Sequence, residues 1–295
     1  MNATQLEKMH SGKGFIAALD QSGGSTPKAL AIYGIPETSY HDEKEMFDLV
    51  HEMRTRIITN KHFNGERILG AILFLKTMER KIEGIPTADF LWEKKGVIPF
   101  LKIDKGLAPE EDGVRLMKNI PTIDDELKEA VTYHIFGTKE RSVILSADKK
   151  GIKKIVEQQF EIAKKVVSYG LVPIIEPEVD IHIADKAEAE VILKDELIKY
   201  AKKLPESSKV MFKLSLPTID GFYTELESLP CCVRVVALSG GYSREEANII
   251  LARNPGVIAS FSRALAEGLK ANMTDKEFSD TLENSIEAIY EASVK

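Results

Sequence analysis

The sequence predicts a (β/α)8 barrel in a single domain spanning residues 1–295. Three observations point there. Short apolar runs recur along the chain, amphipathic stretches separate them, and the runs number eight, the count at which a parallel sheet closes on itself. The runs are GFIAAL (14–19), ILGAILF (68–74), VIPFLKI (97–103), SVIL (142–145), LVPII (171–175), VMFKLSL (210–216), VRVVAL (233–238) and VIASF (257–261). None alternates strictly, as expected of strands buried on both faces.

Helical patterning fills the gaps. An extra helix is expected over 41–59, between the first two strands. Residues 155–167 place Ile155, Phe160, Ile162, Ala163 and Val166 near one face, and 195–204, 243–254 and the C-terminal 276–294 behave similarly. Ser243 with Glu246 has capping-box spacing, and Thr26 before Pro27 reads as a cap followed by proline at the first helical position. A doubly wound open sheet fits the same alternation. Its first βα turn would be Asp20-Gln21-Ser22-Gly23-Gly24-Ser25, which lacks the GxGxxG spacing of a dinucleotide site.

Composition narrows the function classes. Hydrophobic residues make up 43% and charged residues 29%, the balance of a soluble globular protein, with a formal net charge of −6. An acidic chain with no basic block is not expected to bind nucleic acid. No apolar run reaches the ~18–20 residues of a membrane span, and the N-terminus has no apolar signal region. The only cysteines, Cys231 and Cys232, cannot build a disulfide framework and read as packing residues of a reducing compartment. A cytoplasmic location is expected. Trp92 and its lysines, WEKK, read as a solvated helix end.

In a barrel the chemistry gathers at the C-terminal ends of the strands. Strand one ends in Asp20, and strand three carries Lys102 and continues to Asp104 and Lys105. Lys139 and Arg141 precede strand four, and Glu176 and Glu178 follow strand five. Strand seven runs into Ser239-Gly240-Gly241, and strand eight into Ser262-Arg263. A charge at a strand end is ordinarily where the chain meets water. Lys213 differs, because Val210, Met211, Phe212, Leu214 and Leu216 around it predict burial. A buried amine with a second cation nearby has a lowered pKa and suits attack on a carbonyl. Lys139 is the candidate second cation.

Ser239-Gly240-Gly241 exposes backbone amides before a helix, and Ser262-Arg263 adds a guanidinium, at the two loops where this fold commonly binds phosphate. A second motif, Ser22 to Ser25, follows strand one, with Lys102 two strands away. Two anion sites at one mouth suit a substrate phosphorylated at both ends. The rival chemistry is a metal site in EPEVDIH, where Glu176, Glu178, Asp180 and His182 alternate. Against it, Pro177 disturbs strand pairing, and the six histidines form no HxH or HxxxH pair.

Taken together, GFIAALDQSGGSTPKAL, VIPFLKIDKG, HIFGTKERSVI, GLVPIIEPEV, VMFKLSLP, VVALSGGYSREEA and ASFSRAL resemble class I fructose-1,6-bisphosphate aldolases of the shorter, bacterial-type branch, in the family's order from about residue 12 to 268. The resemblance implies a glycolytic and gluconeogenic lyase. It would cleave fructose 1,6-bisphosphate to dihydroxyacetone phosphate and glyceraldehyde 3-phosphate through a covalent imine on Lys213, with no metal and no cofactor. By the same resemblance, Glu176 is the acid/base, Lys139 the neighbouring charge and Asp20 the acceptor of the hydroxyl proton. Glu178 is a supporting carboxylate. Ser239, Gly240, Gly241, Ser262 and Arg263 match the ketone-side phosphate site, and Ser22, Ser25 and Lys102 the other. Arg141 matches a substrate-side arginine. Family members form tetramers and smaller assemblies, so the resemblance admits a homo-oligomer. Two departures from the animal enzymes stand out: Gln21 replaces a glutamate, and an arginine of their first helix falls on Ala29. Their C-terminal tyrosine is also missing from the terminal SVK. A related imine barrel on another sugar phosphate, and a barrel that only binds sugar phosphates, are the alternatives.

Overall fold

The computed structural model describes residues 2–22 and 25–295. Gly23 and Gly24, the centre of the first serine-glycine motif, lie outside them. The eight barrel strands are β1 (Phe15–Leu19), β2 (Ile68–Leu73), β3 (Ile98–Lys102), β4 (Gly137–Ile144), β5 (Val172–Val179), β6 (Val210–Ser215), β7 (Cys232–Leu238) and β8 (Ile258–Ala259). Each pairs in parallel with the next. The ring comes together where the Ala18 N–H donates to the carbonyl of Phe261 at 3.2 Å. The eight-stranded parallel barrel is the expected fold.

The helices used below are α1 (Ala3–Ser11), α2 (Ser25–Tyr33), α3 (Glu43–Thr59), α4 (Ile123–Thr132), α5 (Lys149–Ser168), α6 (Lys186–Ala201), α7 (Arg244–Leu251) and α8 (Asp275–Ser293). The capping box of Ser243 and Glu246 is present. The Thr26 cap is not: α2 already includes Ser25, whose hydroxyl donates to the Ser22 carbonyl at 2.9 Å, while Thr26 is buried inside the helix.

Alternation along the strands builds two environments inside the ring. Ile16, Ile72, Ile98, Phe100, Val172, Ile174, Met211, Val236 and Ile258 fill the lower part. Phe100 packs over Gly137, where a Cβ would lie 2.1 Å from the Val172 carbonyl oxygen, so only glycine fits. The next inward positions upward are Asp20, Lys102, Lys139, Arg141, Glu176, Glu178 and Lys213. Helix α1, whose short polar sequence does not mark it as structural, stoppers the bottom of the barrel. Met9 is fully buried among the interior residues, and Arg234 donates to the carbonyls of Met9 at 3.0 Å and Gly12 at 2.9 Å.

Strands four and five are longer than expected. Lys139 and Arg141 lie within β4 rather than before it, and Glu176 and Glu178 within β5 rather than after it. Their charges look like strand ends in sequence, but a charged barrel interior lets the strands continue. Pro177 does not break β5 against β4, where it stands opposite Ser142. The ladder from β5 to β6 stops at Ile175, so the missing proline N–H falls beyond it. The WEKK stretch does end a helical segment with Glu93 and Lys94 exposed, but Trp92 itself is not solvated. It lies in a single π-helical turn, Phe90–Lys94, half-buried against the barrel floor, and Lys95 donates to the carbonyls of Thr59 and Asn60 at 2.9 Å.

Candidate active site

The upward-facing charges form one connected cluster. Glu176 stands between two amines: its Oε1 is 3.0 Å from Lys213 Nζ and its Oε2 is 2.9 Å from Lys139 Nζ. Lys139 Nζ also lies 2.7 Å from Asp20 Oδ2. All four groups are at most 9% exposed, so their charges act on one another through little water. Burial alone pushes the Asp20 and Glu176 carboxyls up, but the charges of Lys139 and Lys213 override it and hold both below the usual carboxylate range. Burial pushes the Lys139 ammonium down, and Asp20, Glu176 and Asp104 together carry it above the ordinary lysine value. Glu176 Oε2 has no aligned hydrogen-bond donor despite this contact.

Lys102 and Lys139 are register neighbours on β3 and β4, which would set two cations side by side. Asp104, just past β3, separates them. Its Oδ1 is 2.8 Å from Lys102 Nζ and its Oδ2 is 3.8 Å from Lys139 Nζ, while Oδ2 also accepts the Arg141 N–H at 3.2 Å. Arg141 Nε donates to Glu178 Oε2 at 2.6 Å. Asp20, Asp104, Glu176 and Glu178 therefore face Lys102, Lys139, Arg141 and Lys213, and the inner charges cancel.

The two loops expected to hold phosphates lie at the mouth. Gly240 has φ 62°, and a Cβ there would lie 2.7 Å from Ile181 Cγ2, so the backbone bend after β7 requires glycine. Arg263 opens the short helix Arg263–Ala266 beyond β8, exposed, with its guanidinium beside Gly241. The helix after the glycines begins only at Arg244, and its first turn is already closed by Ser243 and Glu246. Amides of the glycine bend, not the helix terminus, are what this loop offers an anion. On the other side, Ser22 and Ser25 close on each other, the Ser22 N–H donating to Ser25 Oγ at 3.1 Å. The Gln21 side chain spans the seam between β1 and β8 and donates to Ser262 Oγ.

The residues of the rival metal motif do not converge. Glu178 pairs with Arg141, Asp180 accepts the His182 N–H at 2.8 Å, and no group of three or more His, Cys, Asp or Glu side chains among the described residues is arranged to hold a metal ion. Cys231 and Cys232 are free thiols buried in the outer core.

Two buried residues of the site were not anticipated as members of it. Asp104 reads in sequence as a residue just past a strand, and its place beside Lys102 is legible in KIDKG. Arg54, on α3, reaches the mouth from outside the barrel, donating to the Gln21 carbonyl at 2.6 Å and to Thr77 Oγ1. Its signal was its position in an apolar helical stripe with Val50, Met53, Ile57 and Ile58.

Comparison with known proteins agrees with this geometry. A family model described as "Fructose-bisphosphate aldolase class-I" matches residues 2–216. "Fructose-bisphosphate aldolase class 1" of Porphyromonas gingivalis is 59% identical over 295 residues, and that of Clostridium acetobutylicum is 59% identical over 294, with all of each chain covered. Among solved structures, fructose-bisphosphate aldolase from Plasmodium falciparum superposes with a TM-score of 0.78 at 23% identity, covering 99% of this chain and 94% of that one, a likeness of fold. With the barrel, the lysine-rich interior and full-length relatives all in agreement, the chain belongs to the class I fructose-bisphosphate aldolase family.

Proposed function

We propose that this chain reversibly cleaves fructose 1,6-bisphosphate to dihydroxyacetone phosphate and glyceraldehyde 3-phosphate through an imine on Lys213. It would do so in the cytoplasm, in glycolysis and gluconeogenesis. The observation that carries the reading is the Glu176 carboxylate shared by Lys213 and Lys139. A binding module gains nothing from burying two amines and a carboxylate, since desolvating ions costs several kcal/mol each.

Glu176 takes the ammonium proton of Lys213, freeing the lone pair to attack the ketone carbon. The carbinolamine then loses its hydroxyl as water, with the proton returned by Glu176. Asp20, held ionised by Lys139, accepts the proton of the hydroxyl on the carbon that becomes the aldehyde. The electrons of the breaking carbon–carbon bond flow into the iminium and leave an enamine. Protonation of the enamine and hydrolysis of the resulting imine release the second triose phosphate and restore Lys213. Arg141 and Glu178 orient hydroxyls at the rim. The Ser239–Gly241 bend, Ser262 and Arg263 hold the ketone-side phosphate, and Ser22, Ser25 and Lys102 hold the other. No step calls on a metal.

Borohydride reduction with dihydroxyacetone phosphate, after chelator treatment, tests the reading by peptide mass spectrometry. A triose-phosphate adduct on Lys213 is expected. An adduct on another lysine refutes the site, and cleavage that disappears in chelator without any adduct refutes the mechanism. No adduct and no cleavage leaves a barrel that only binds.

A further inference from the structure

We infer that Arg54 is a positioning residue for the aldehyde-side phosphate, its buried charge setting the preference for a substrate phosphorylated at both ends. The inference rests on the proposed aldolase reaction and extends it to the specificity of one subsite. Arg54 is 1% exposed, yet it makes no ion pair with any carboxylate among the described residues. Its contacts are neutral: Gln21 O at 2.6 Å, Gln21 Oε1 at 3.5 Å and Thr77 Oγ1, while its Nε has no partner. A guanidinium is not buried without compensation for its hydration. Here the compensation is incomplete in the resting protein.

Its location supplies the missing partner. Gln21 follows β1 and Thr77 follows β2, so the guanidinium sits at the upper ends of those neighbouring strands, next in sequence to Ser22 and one strand from Lys102 at the end of β3. Lys102 is neutralised by Asp104, and the inner charges cancel. An anion arriving there meets Arg54 as the uncompensated charge behind Ser22, as an anion at the loop after β8 meets Arg263. Arg54 acts through Gln21, whose backbone carbonyl it fixes immediately before Ser22. Position 29, on α2, carries alanine and offers no cation of its own.

The test compares fructose 1,6-bisphosphate with fructose 1-phosphate as the ratio of their kcat/KM values. Arg54→Met is expected to lower that ratio about tenfold, the scale of one charge at a partly screened distance, while the dihydroxyacetone phosphate adduct still forms. Arg54→Lys keeps the charge, but burial lowers the pKa of an amine. Its ratio is therefore expected to match wild type at about pH 6.5 and to fall as pH rises through roughly 7–9, ahead of the wild-type ratio, because burial lowers the Arg54 guanidinium only to about 10. The ionisable groups around Arg54 are Asp20 at the end of β1 and His51 one turn back on α3. Asp20 is held ionised and burial lowers the His51 pKa, so neither titrates in that window. If Arg54→Met fails to fold, the pH profile of Arg54→Lys decides. Parallel loss on both substrates, an unchanged ratio in Arg54→Met, or a pH-independent ratio in a folded Arg54→Lys overturns the inference. A wild type that neither cleaves the bisphosphate nor traps the adduct removes the proposed reaction itself, and this inference with it.

Discussion

At the scale of single residues, the site is a set of charges kept ionised by one another rather than by water. The folded-state carboxyls of Asp20 and Glu176 are depressed, so the stability they contribute is full above about pH 4, their ordinary range, and is lost as pH falls toward their folded values. Lys139 is raised, so its share is full below its ordinary value near 10.5 and is lost only as pH climbs beyond that toward its folded value. Asp20→Asn is therefore expected to melt below wild type at pH 7. The gap between the two melting curves should narrow as pH is lowered below about 4; a gap that persists unchanged at low pH would show that Asp20 stabilises by packing. Lys213, Glu176, Lys139 and Asp20 were all legible in the sequence, because a charge inside or just after an apolar run conflicts with burial. Asp104 and Arg54 were less so. One looks like a strand end, and the other sits on a helix that sequence alone does not turn toward the barrel.

At the scale of elements, β4 shows why the strand boundaries differ from the apolar runs. Thr138, Glu140 and Ser142 alternate with Lys139 and Arg141, so neither face of this stretch looks apolar. Its outer face is nonetheless buried under α5, where Gln159 donates to the Glu140 carbonyl at 3.0 Å and to Ser142 Oγ at 2.9 Å. Thr138 Oγ1 donates to the Glu140 carboxyl. Burial pushes that carboxyl up to about 8, the Thr138 hydrogen bond opposing it and the Asp104 charge assisting. A raised carboxyl pKa means the folded state holds its proton where the unfolded chain has lost it. The cost is absent below the ordinary value of 4.5 and grows as pH rises from there to about 8. Glu140→Gln should therefore gain stability over wild type between pH 5 and 8, by on the order of a few kcal/mol at the upper end. Urea unfolding at the two pH values checks this, and equal differences at both would contradict it. The helices were read more reliably, since a 3.6-residue stripe is unambiguous over many turns, as in α5 and α8.

For the whole molecule, the barrel has an apolar floor and a charged upper chamber, and the floor depends on α1. Nothing in its short, mostly polar sequence marks this helix as structural, because Met9 is the one long apolar side chain it inserts fully into the ring. Met9→Ala is expected to cost about 2–5 kcal/mol in urea unfolding. A loss under about 1 kcal/mol would mean that the floor closes without it.

The seam between β1 and β8 gives the molecule a further property. β8 contributes two residues to the ladder, and the Ala259 N–H is met by the Ser293 hydroxyl of α8 at 3.1 Å rather than by a strand. The ring is thus a clasp more than a hoop, latched on one side by a helix and at the mouth by the Gln21 side chain on Ser262. The two loops proposed to hold phosphates lie on opposite sides of that clasp. A ligand reaching both would bridge the seam, so part of its binding energy would go into fastening the barrel, whereas a ligand gripping one loop would leave the latch as it is.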